Sequence, residues 1–234
     1  VTRIFAASLP HRLSRRTDRM ALNKQVLGIL TLLIATGLIG CNPGTPATSK
    51  ERGEVLYAAC VSCHMDNGAG LAQIGAPAIA GMSQWYVEAQ LRKFKAGIRG
   101  YHHDDTEGLR MRPMALFLRH EADIVAVANY VASMPAIETA LTLEGGDAAT
   151  GKMYYATCAT CHGENGMGNI EQNAPSLVGL NDWYMLNQLH KFKHGVRGAN
   201  PKDTTGAMMA PMAMTLADET AMKSVIAYIK TLKN

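Results

Sequence analysis

The sequence predicts an all-α protein built from two tandem copies of one module. The chain aligns with itself at an offset of 98 residues without a gap, apolar residues recur at helical spacing in both copies, and Gly-rich loops separate the apolar segments. A period this long that occurs only twice is typical of a duplicated domain and not of a solenoid. Aligned pairs include Pro77/Pro175, Trp85/Trp183, Phe94/Phe192, Arg99/Arg197, Asp105/Asp203 and Tyr130/Tyr228.

Two helices of each copy are predicted from their ends and spacing. In the first copy Ser83 is a candidate N-cap, Val87, Leu91 and Phe94 share one helical face, and Gly97 is a C-terminal stop. The second copy repeats this pattern as "NDWYMLNQLHKFKHG", and "EADIVAVANYVASM" and "DETAMKSVIAYIKTL" predict the last helices. The predicted segments are a leader (1–40), a linker (41–50), domain 1 (51–136), a second linker (137–146) and domain 2 (147–234).

The net charge of +4 belongs to the leader and not to the two modules. Residues 1–40 hold six of the 23 basic side chains and one of the 19 acidic ones, so the remainder carries 17 basic and 18 acidic groups. Because nucleic-acid binding depends on a basic surface, this distribution argues against a nucleic-acid partner.

The leader contains the uncharged run "VLGILTLLIATGLIG" (26–40), which is short for a membrane-spanning helix but suits the apolar core of a secretory signal. The run ends in "LIGC", which resembles the bacterial lipobox and predicts lipidation of Cys41. A plain signal peptide with a chance cysteine and an uncleaved membrane anchor are the alternatives. The expected location is the periplasmic side of a bacterial membrane.

Each module carries one Cys-x-x-Cys-His motif. Two thiols one helical turn apart can bond the two vinyl groups of a haem, and the adjacent imidazole can ligate its iron. A zinc site would pair two closer Cys-x-x-Cys elements, and a thioredoxin-type dithiol would lie in a βαβ pattern that is absent here. The motifs predict two covalently bound haems c, attached through Cys60 and Cys63 with His64 as ligand, and through Cys158 and Cys161 with His162.

These residues resemble tandem dihaem class I cytochromes c of the cytochrome c4 type, and the resemblance covers residues 51–234. It extends beyond the attachment motif to "GAPAIAGMSQWY" with "NAPSLVGLNDWY" and "QLRKFKAGIRG" with "QLHKFKHGVRG". It implies two domains, each with a few short helices around a covalently bound haem, and a role in single-electron transfer.

The sixth iron ligand is expected to be a methionine from the loop after the middle helix. The c4-type pattern Met-x-x-x-Ala-x-x-Leu is matched from Met111 and from Met209, which are the favoured ligands. Met114 and Met212 keep the same register and are the alternative pair.

Other site residues are implied by the resemblance. Pro77 and Pro175 match the family proline whose carbonyl accepts the N–H of the haem histidine; the alternative is a proline that only shapes a turn. Positions near the haem propionates are matched by Trp85, Trp183, Arg99 and Arg197, for which ordinary helix packing and a solvated charge are the alternatives. His190 and His194, and the "HHDD" run at 102–105, are interpreted as polar surface and not as metal sites.

The predicted function is a dihaem electron carrier, not an enzyme, because two protein ligands leave the iron no place for substrate. The expected donor is a membrane quinol-oxidising complex, and the acceptor is a terminal oxidase or another redox protein. A cytochrome subunit of a flavocytochrome-type dehydrogenase is the alternative. A dihaem enzyme such as a peroxidase is less favoured.

Overall fold

The computed structural model describes residues 46–233, and within that range every regular element is helical, which confirms the all-α prediction. Each copy has a short 3₁₀ helix after its attachment motif, at Ala72–Ile74 and Ile170–Gln172. The first copy contains α1 (Lys50–Tyr57), α2 (Val61–His64), α3 (Gln84–Lys95), α4 (Thr106–Phe117) and α5 (Glu121–Ser133). The second copy contains α6 (Ala148–His162), α7 (Asp182–Lys193), α8 (Thr204–Met214) and α9 (Glu219–Ile229).

The first and last helices of each copy cross at a glycine. A Cβ on Gly53 of α1 would lie 2.0 Å from the carbonyl oxygen of Ala126 in α5, and one on Gly151 of α6 would lie 1.9 Å from that of Ser224 in α9. Only glycine permits this approach. Around each crossing lies a small apolar core, formed by Tyr57, Leu118, Ile124, Val127, Val131 and Met134 in the first copy and by Tyr155, Met185, Leu216, Met222, Val225, Ile226 and Ile229 in the second.

The middle helices α3 and α7 begin and end where the sequence predicts. Ser83 is the N-cap residue of α3, although its side chain makes no capping hydrogen bond. Gly97 and Gly195 follow the two helices with φ of +68° and +70°, a left-handed conformation that glycine adopts without strain.

The methionines lie in helices, so the expectation of a methionine-bearing loop was wrong. Asp105 caps α4 by accepting the backbone N–H of Gly108 at 3.3 Å, and Asp203 caps α8 through Gly206 at 3.1 Å. Pro113 lies inside α4 on its exposed side. Proline usually interrupts a helix, but water can satisfy the carbonyl that it leaves unpaired on an exposed face.

The segment predicted as a linker between the copies is bound to the second copy. The Asp182 carboxylate accepts the backbone N–H of Leu143 at 2.7 Å and also bonds the backbone N–H and the hydroxyl of Thr142. The Thr139 hydroxyl donates to the carbonyl of Leu180 at 2.8 Å. The segment is therefore an anchored connection and not a free tether.

Both copies belong to one compact unit. Between residues 46 and 233, no helix has the length and apolar content needed to cross a membrane. The predicted leader and Cys41 lie outside the described residues.

Candidate haem sites

The attachment motifs lie at helix ends beside a cavity in each copy. In the first copy a turn separates α1 from α2, with Cys60 at the N-cap of α2, whereas in the second copy the motif completes the continuous helix α6. All four motif cysteines are free of disulfides and partly buried. Their spacing of one helical turn places both thiols of each motif on the wall of the same cavity.

The two histidines are held by proline carbonyls. Nδ1 of His64 lies 2.9 Å from the carbonyl oxygen of Pro77, and Nδ1 of His162 lies 2.8 Å from that of Pro175. Burial lowers the pKa of both imidazoles, although these hydrogen bonds act in the opposite direction. Each ring is therefore neutral, donates its Nδ1–H to the carbonyl and keeps Nε2 for a metal.

Helices α4 and α8, the methionine helices, bring both candidate ligands of each copy to the cavity. Met111 and Met114 line the first cavity, and Met209 and Met212 line the second, together with Met208. Met111 shares its helical face with buried Ala115, and Met209 shares its face with buried Ala213. Leu118 and Leu216, which complete the sequence pattern, are buried just after the two helices end. Met212 is 36% exposed.

A single layer of side chains separates the two cavities, which measure about 160 Å³ and about 450 Å³. The same four residues, two from each copy, line both of them. Groups bound in the two cavities would therefore be close neighbours. The shared residues are Tyr86, Gln90, Tyr184 and Gln188.

Arg99 and Arg197 span this layer with nearly two-fold symmetry. Arg99 donates to the Tyr184 hydroxyl at 3.0 Å and the Gln188 amide oxygen at 3.2 Å, both in the other copy. Arg197 donates in the same way to Tyr86 and Gln90, at 3.4 and 3.3 Å. Each guanidinium also stacks on a phenylalanine of its own copy, Phe94 at 4.5 Å and Phe192 at 4.6 Å.

Two lysines extend the interface. Lys93 of the first copy bonds Asp203 at 2.6 Å and the Thr205 hydroxyl, and Lys191 of the second copy bonds Asp105 at 2.5 Å and Glu107. Burial alone would raise the pKa of Asp105 and Glu107, but the Lys191 ammonium outweighs it and holds both pKa values below their ordinary range. The copies differ here, because Lys191 binds two carboxylates and Lys93 binds one.

The two tryptophans that the resemblance placed near the haem propionates do not occupy equivalent positions. Trp85 lines the cavity of the second copy and not that of its own, and Trp183 lines neither cavity. The interface lysines and the tyrosine–glutamine pairs were missed from the sequence. They could have been found from the sequence, because the same polar residues stand at equivalent positions in both copies. Core packing alone does not require polar residues to be repeated in this way.

The four histidines interpreted from the sequence as polar surface, His102, His103, His190 and His194, are half-buried or exposed. His190 lies 3.3 Å from the Glu219 carboxylate, and its ring stacks with that of His194. Ligand atoms of His102, His103 and Asp104 lie within 4.8 Å of one another in an exposed loop. The second copy has Asn200, Pro201 and Lys202 there, so this cluster is not part of the duplicated site.

A family model for cytochrome c matches residues 50–135 and again residues 148–233. The chain belongs to the cytochrome c family. It is 27% identical to cytochrome c4 of Azotobacter vinelandii over 87% of this chain and 98% of that protein. It is 30% identical to the thiosulfate dehydrogenase electron acceptor of Stutzerimonas stutzeri over 66% of this chain and 72% of that protein.

Solved structures show the same relationship. The crystal structure of reduced cytochrome c4 from Pseudomonas stutzeri superposes with a TM-score of 0.62 at 26% identity, over 79% of this chain and 99% of that one. Thiosulfate dehydrogenase (TsdBA) from Marichromatium purpuratum gives a TM-score of 0.62 at 29% identity, but this chain spans only 40% of it. The chain is a tandem two-domain, cytochrome c4-like protein.

The protein carries two haems c, as predicted, and the geometry of both cavities fits them. In the part of the chain that the structure describes, two buried polar side-chain atoms lack a hydrogen-bond partner, and these are Nε of Arg99 and Nε of Arg197. Each arginine lines the cavity of its own copy. A buried N–H is costly to leave unpaired, so this position suits an anionic acceptor such as a haem propionate.

Removing one interface lysine tests the difference between the copies. Lys191→Met should lower the free energy of unfolding of the haem-loaded protein by about 3 kcal/mol at pH 7, because two carboxylates lose their counterion. Lys93→Met, which leaves one carboxylate without its counterion, should cost less, and Lys223→Met, which removes a surface pair with Glu219, should cost least. Urea unfolding followed by circular dichroism measures all three.

The cost of Lys191→Met should also depend on pH. Because the paired carboxylates have depressed pKa values, their contribution is present above about pH 4 and is lost as pH falls through the folded-state values. The difference between wild type and variant should therefore shrink in acid. Equal costs for Lys191→Met and Lys93→Met, or a difference that is constant down to pH 3, would contradict the assigned pairing.

Proposed function

We propose that His64 with Met111, and His162 with Met209, would ligate the two haem irons. The proline hydrogen bonds that leave Nε2 free support the histidines. The fully buried alanine that follows each of Met111 and Met209 by four residues, Ala115 or Ala213, supports these two methionines over Met114 and Met212. Cys60 and Cys63 would attach the first haem, and Cys158 and Cys161 the second.

The chain is a dihaem cytochrome c of the electron-carrier class, and we propose that it carries single electrons between a quinol-oxidising complex and a terminal oxidase or another acceptor. The observation that carries the electron-transfer role is the shared wall of four side chains between the cavities, which would make the two haems close neighbours. A haem c supplies a one-electron Fe(III)/Fe(II) couple. The residues of this chain hold the imidazoles in one tautomer and offer Arg99 and Arg197 to anionic groups at the interface.

The proposed location is the periplasmic side of a bacterial membrane, with Cys41 as a lipid anchor. The apolar run before "LIGC" supports it. Cys41→Ala should then release the protein from the membrane fraction of cells that express the full chain.

A second candidate function is electron acceptor of a dehydrogenase complex. It is favoured by two findings, namely the 30% identity to a protein named as a thiosulfate dehydrogenase electron acceptor and the likeness to part of a thiosulfate dehydrogenase structure. In this role the same two haems would take electrons from an oxidising subunit and not from quinol.

Single methionine substitutions test the proposed ligands. Met111→Leu and Met209→Leu should each remove one of two near-infrared methionine-to-iron charge-transfer signals and lower one reduction potential, because a thioether favours ferrous iron. Met114→Leu and Met212→Leu are the matched controls and should retain both signals. Loss of a signal in either control would assign that iron to the alternative methionine.

A comparison of electron donors tests the proposed function. The oxidised protein should be reduced within seconds by a short-chain ubiquinol plus a purified bacterial quinol-oxidising complex, and not when that complex is inhibited. A purified thiosulfate dehydrogenase with thiosulfate is the parallel donor. Reduction by the dehydrogenase with thiosulfate, and not by the quinol-oxidising complex, would replace the proposed function with the second candidate.

A further inference from the structure

The outer face of α4 carries an exposed apolar stripe. Pro113 lies four residues after Leu109, and Leu116 and Phe117 lie three and four residues after Pro113, so all four lie along one side of the helix. The three nonproline side chains are 38%, 55% and 54% exposed, and Pro113 is exposed as well. We refer to these four residues as the α4 stripe.

Arginines flank the α4 stripe on both sides. Arg110, the residue after Leu109, lies on one side of the stripe. Its side chain is exposed and also forms part of the wall of the first haem cavity. Arg112 and Arg119, seven residues apart, lie on the other side. An apolar centre with a charged rim is the usual composition of a protein–protein interface.

The positive charge of this rim is not balanced locally. Within the described residues, none of the three arginines forms an ion pair, and the nearby acidic side chains already have other partners. Glu107 is bonded to Lys191, Glu121 to Arg92 and Asp123 to Arg52. The rim therefore presents its charge to whatever approaches the α4 stripe.

The second copy lacks this charge. Met208, Ala210 and Ala217 occupy the positions of the three arginines. Residues 106–120 contain three arginines and one glutamate, a net charge of +2, whereas the aligned residues 204–218 contain one aspartate, a net charge of −1. Because the backbone and the haem-site residues are repeated, the charge is a specific feature of the first domain.

We propose that the α4 stripe with its arginine rim is the docking surface for an acidic redox protein, and that electrons enter or leave through the first haem when that partner is bound. This rests on the proposed carrier function and adds the chemistry of one partner. The location favours a redox protein over an anionic membrane or a second copy of this chain, because Arg110 and Met111 of the same helix line the first cavity. A partner on this surface would lie beside the haem.

Exchange of residues between the copies tests the proposal. R110M/R112A/R119A gives the first domain the residues of the second, and M208R/A210R/A217R does the reverse. K152A/K202A/K233A removes the same total charge from exposed positions elsewhere. The probe is reduced plant-type ferredoxin, a small acidic iron–sulfur protein, and stopped-flow absorbance follows haem reduction at low and high ionic strength.

R110M/R112A/R119A, the rim-arginine variant, should react about tenfold more slowly than wild type at about 10 mM salt. At 1 M salt, where the Debye length is only about 3 Å, its rate should be within about twofold of the wild-type rate. The reverse variant should react faster than wild type, and the lysine control should remain within about twofold. The same ranking should hold with hexacyanoferrate(III) as a small anionic oxidant.

Several results would overturn the proposal. One is a rim-arginine variant that reacts as fast as wild type at low salt. Another is a lysine control whose rate falls as much as that of the rim-arginine variant. A third is unchanged ferredoxin kinetics together with loss of binding to phosphatidylglycerol vesicles, or loss of a dimer in sedimentation. Failure of the carrier function can be distinguished from failure of the docking proposal. In the first case the wild-type protein itself would exchange no electrons with hexacyanoferrate(III), before any variant is compared.

Discussion

The bond between each interface lysine and an aspartate of the other copy is the interaction on which both haem sites depend. The Asp105 carboxylate accepts the backbone N–H groups of Gly100 at 3.1 Å and Gly108 at 3.3 Å, so it fixes both the turn after α3 and the start of methionine helix α4. Its buried charge is balanced by Lys191 of the second copy. Because Lys93 binds Asp203 in the same way, each domain completes the support of the other domain's methionine helix.

This exchange of counterions explains why the two modules form one body. A module of fewer than 90 residues with short helices buries little apolar surface, so it relies on its haem and on its neighbour. The polar layer of arginines, glutamines and tyrosines would be costly to bury unless its hydrogen bonds were completed. Two copies supply these partners to each other and leave the two Nε–H groups for the haems. The same layer forms the wall between the two cavities.

The sequence predicted the features that are repeated and local. The duplication, the attachment motifs and the limits of α3 follow from residue type and spacing. The proline hydrogen bonds to His64 and His162 were implied by the resemblance to cytochromes of the c4 type. The sequence did not predict that the methionines lie in helices, because a proline in the helix interior, such as Pro113 or Pro211, usually interrupts a helix. Nor did it predict the partners of Lys93 and Lys191, since pairs about 86 to 110 residues apart carry no local pattern.

Carbon monoxide binding to the fully reduced protein, followed by visible absorption and magnetic circular dichroism, tests the central claim that both irons are closed electron-transfer sites. Two low-spin haems that bind no carbon monoxide are the predicted result, because a histidine and a methionine would ligate each iron and leave no open site. A high-spin haem, or rapid binding of carbon monoxide at either iron, would contradict the account and indicate an iron open to substrate.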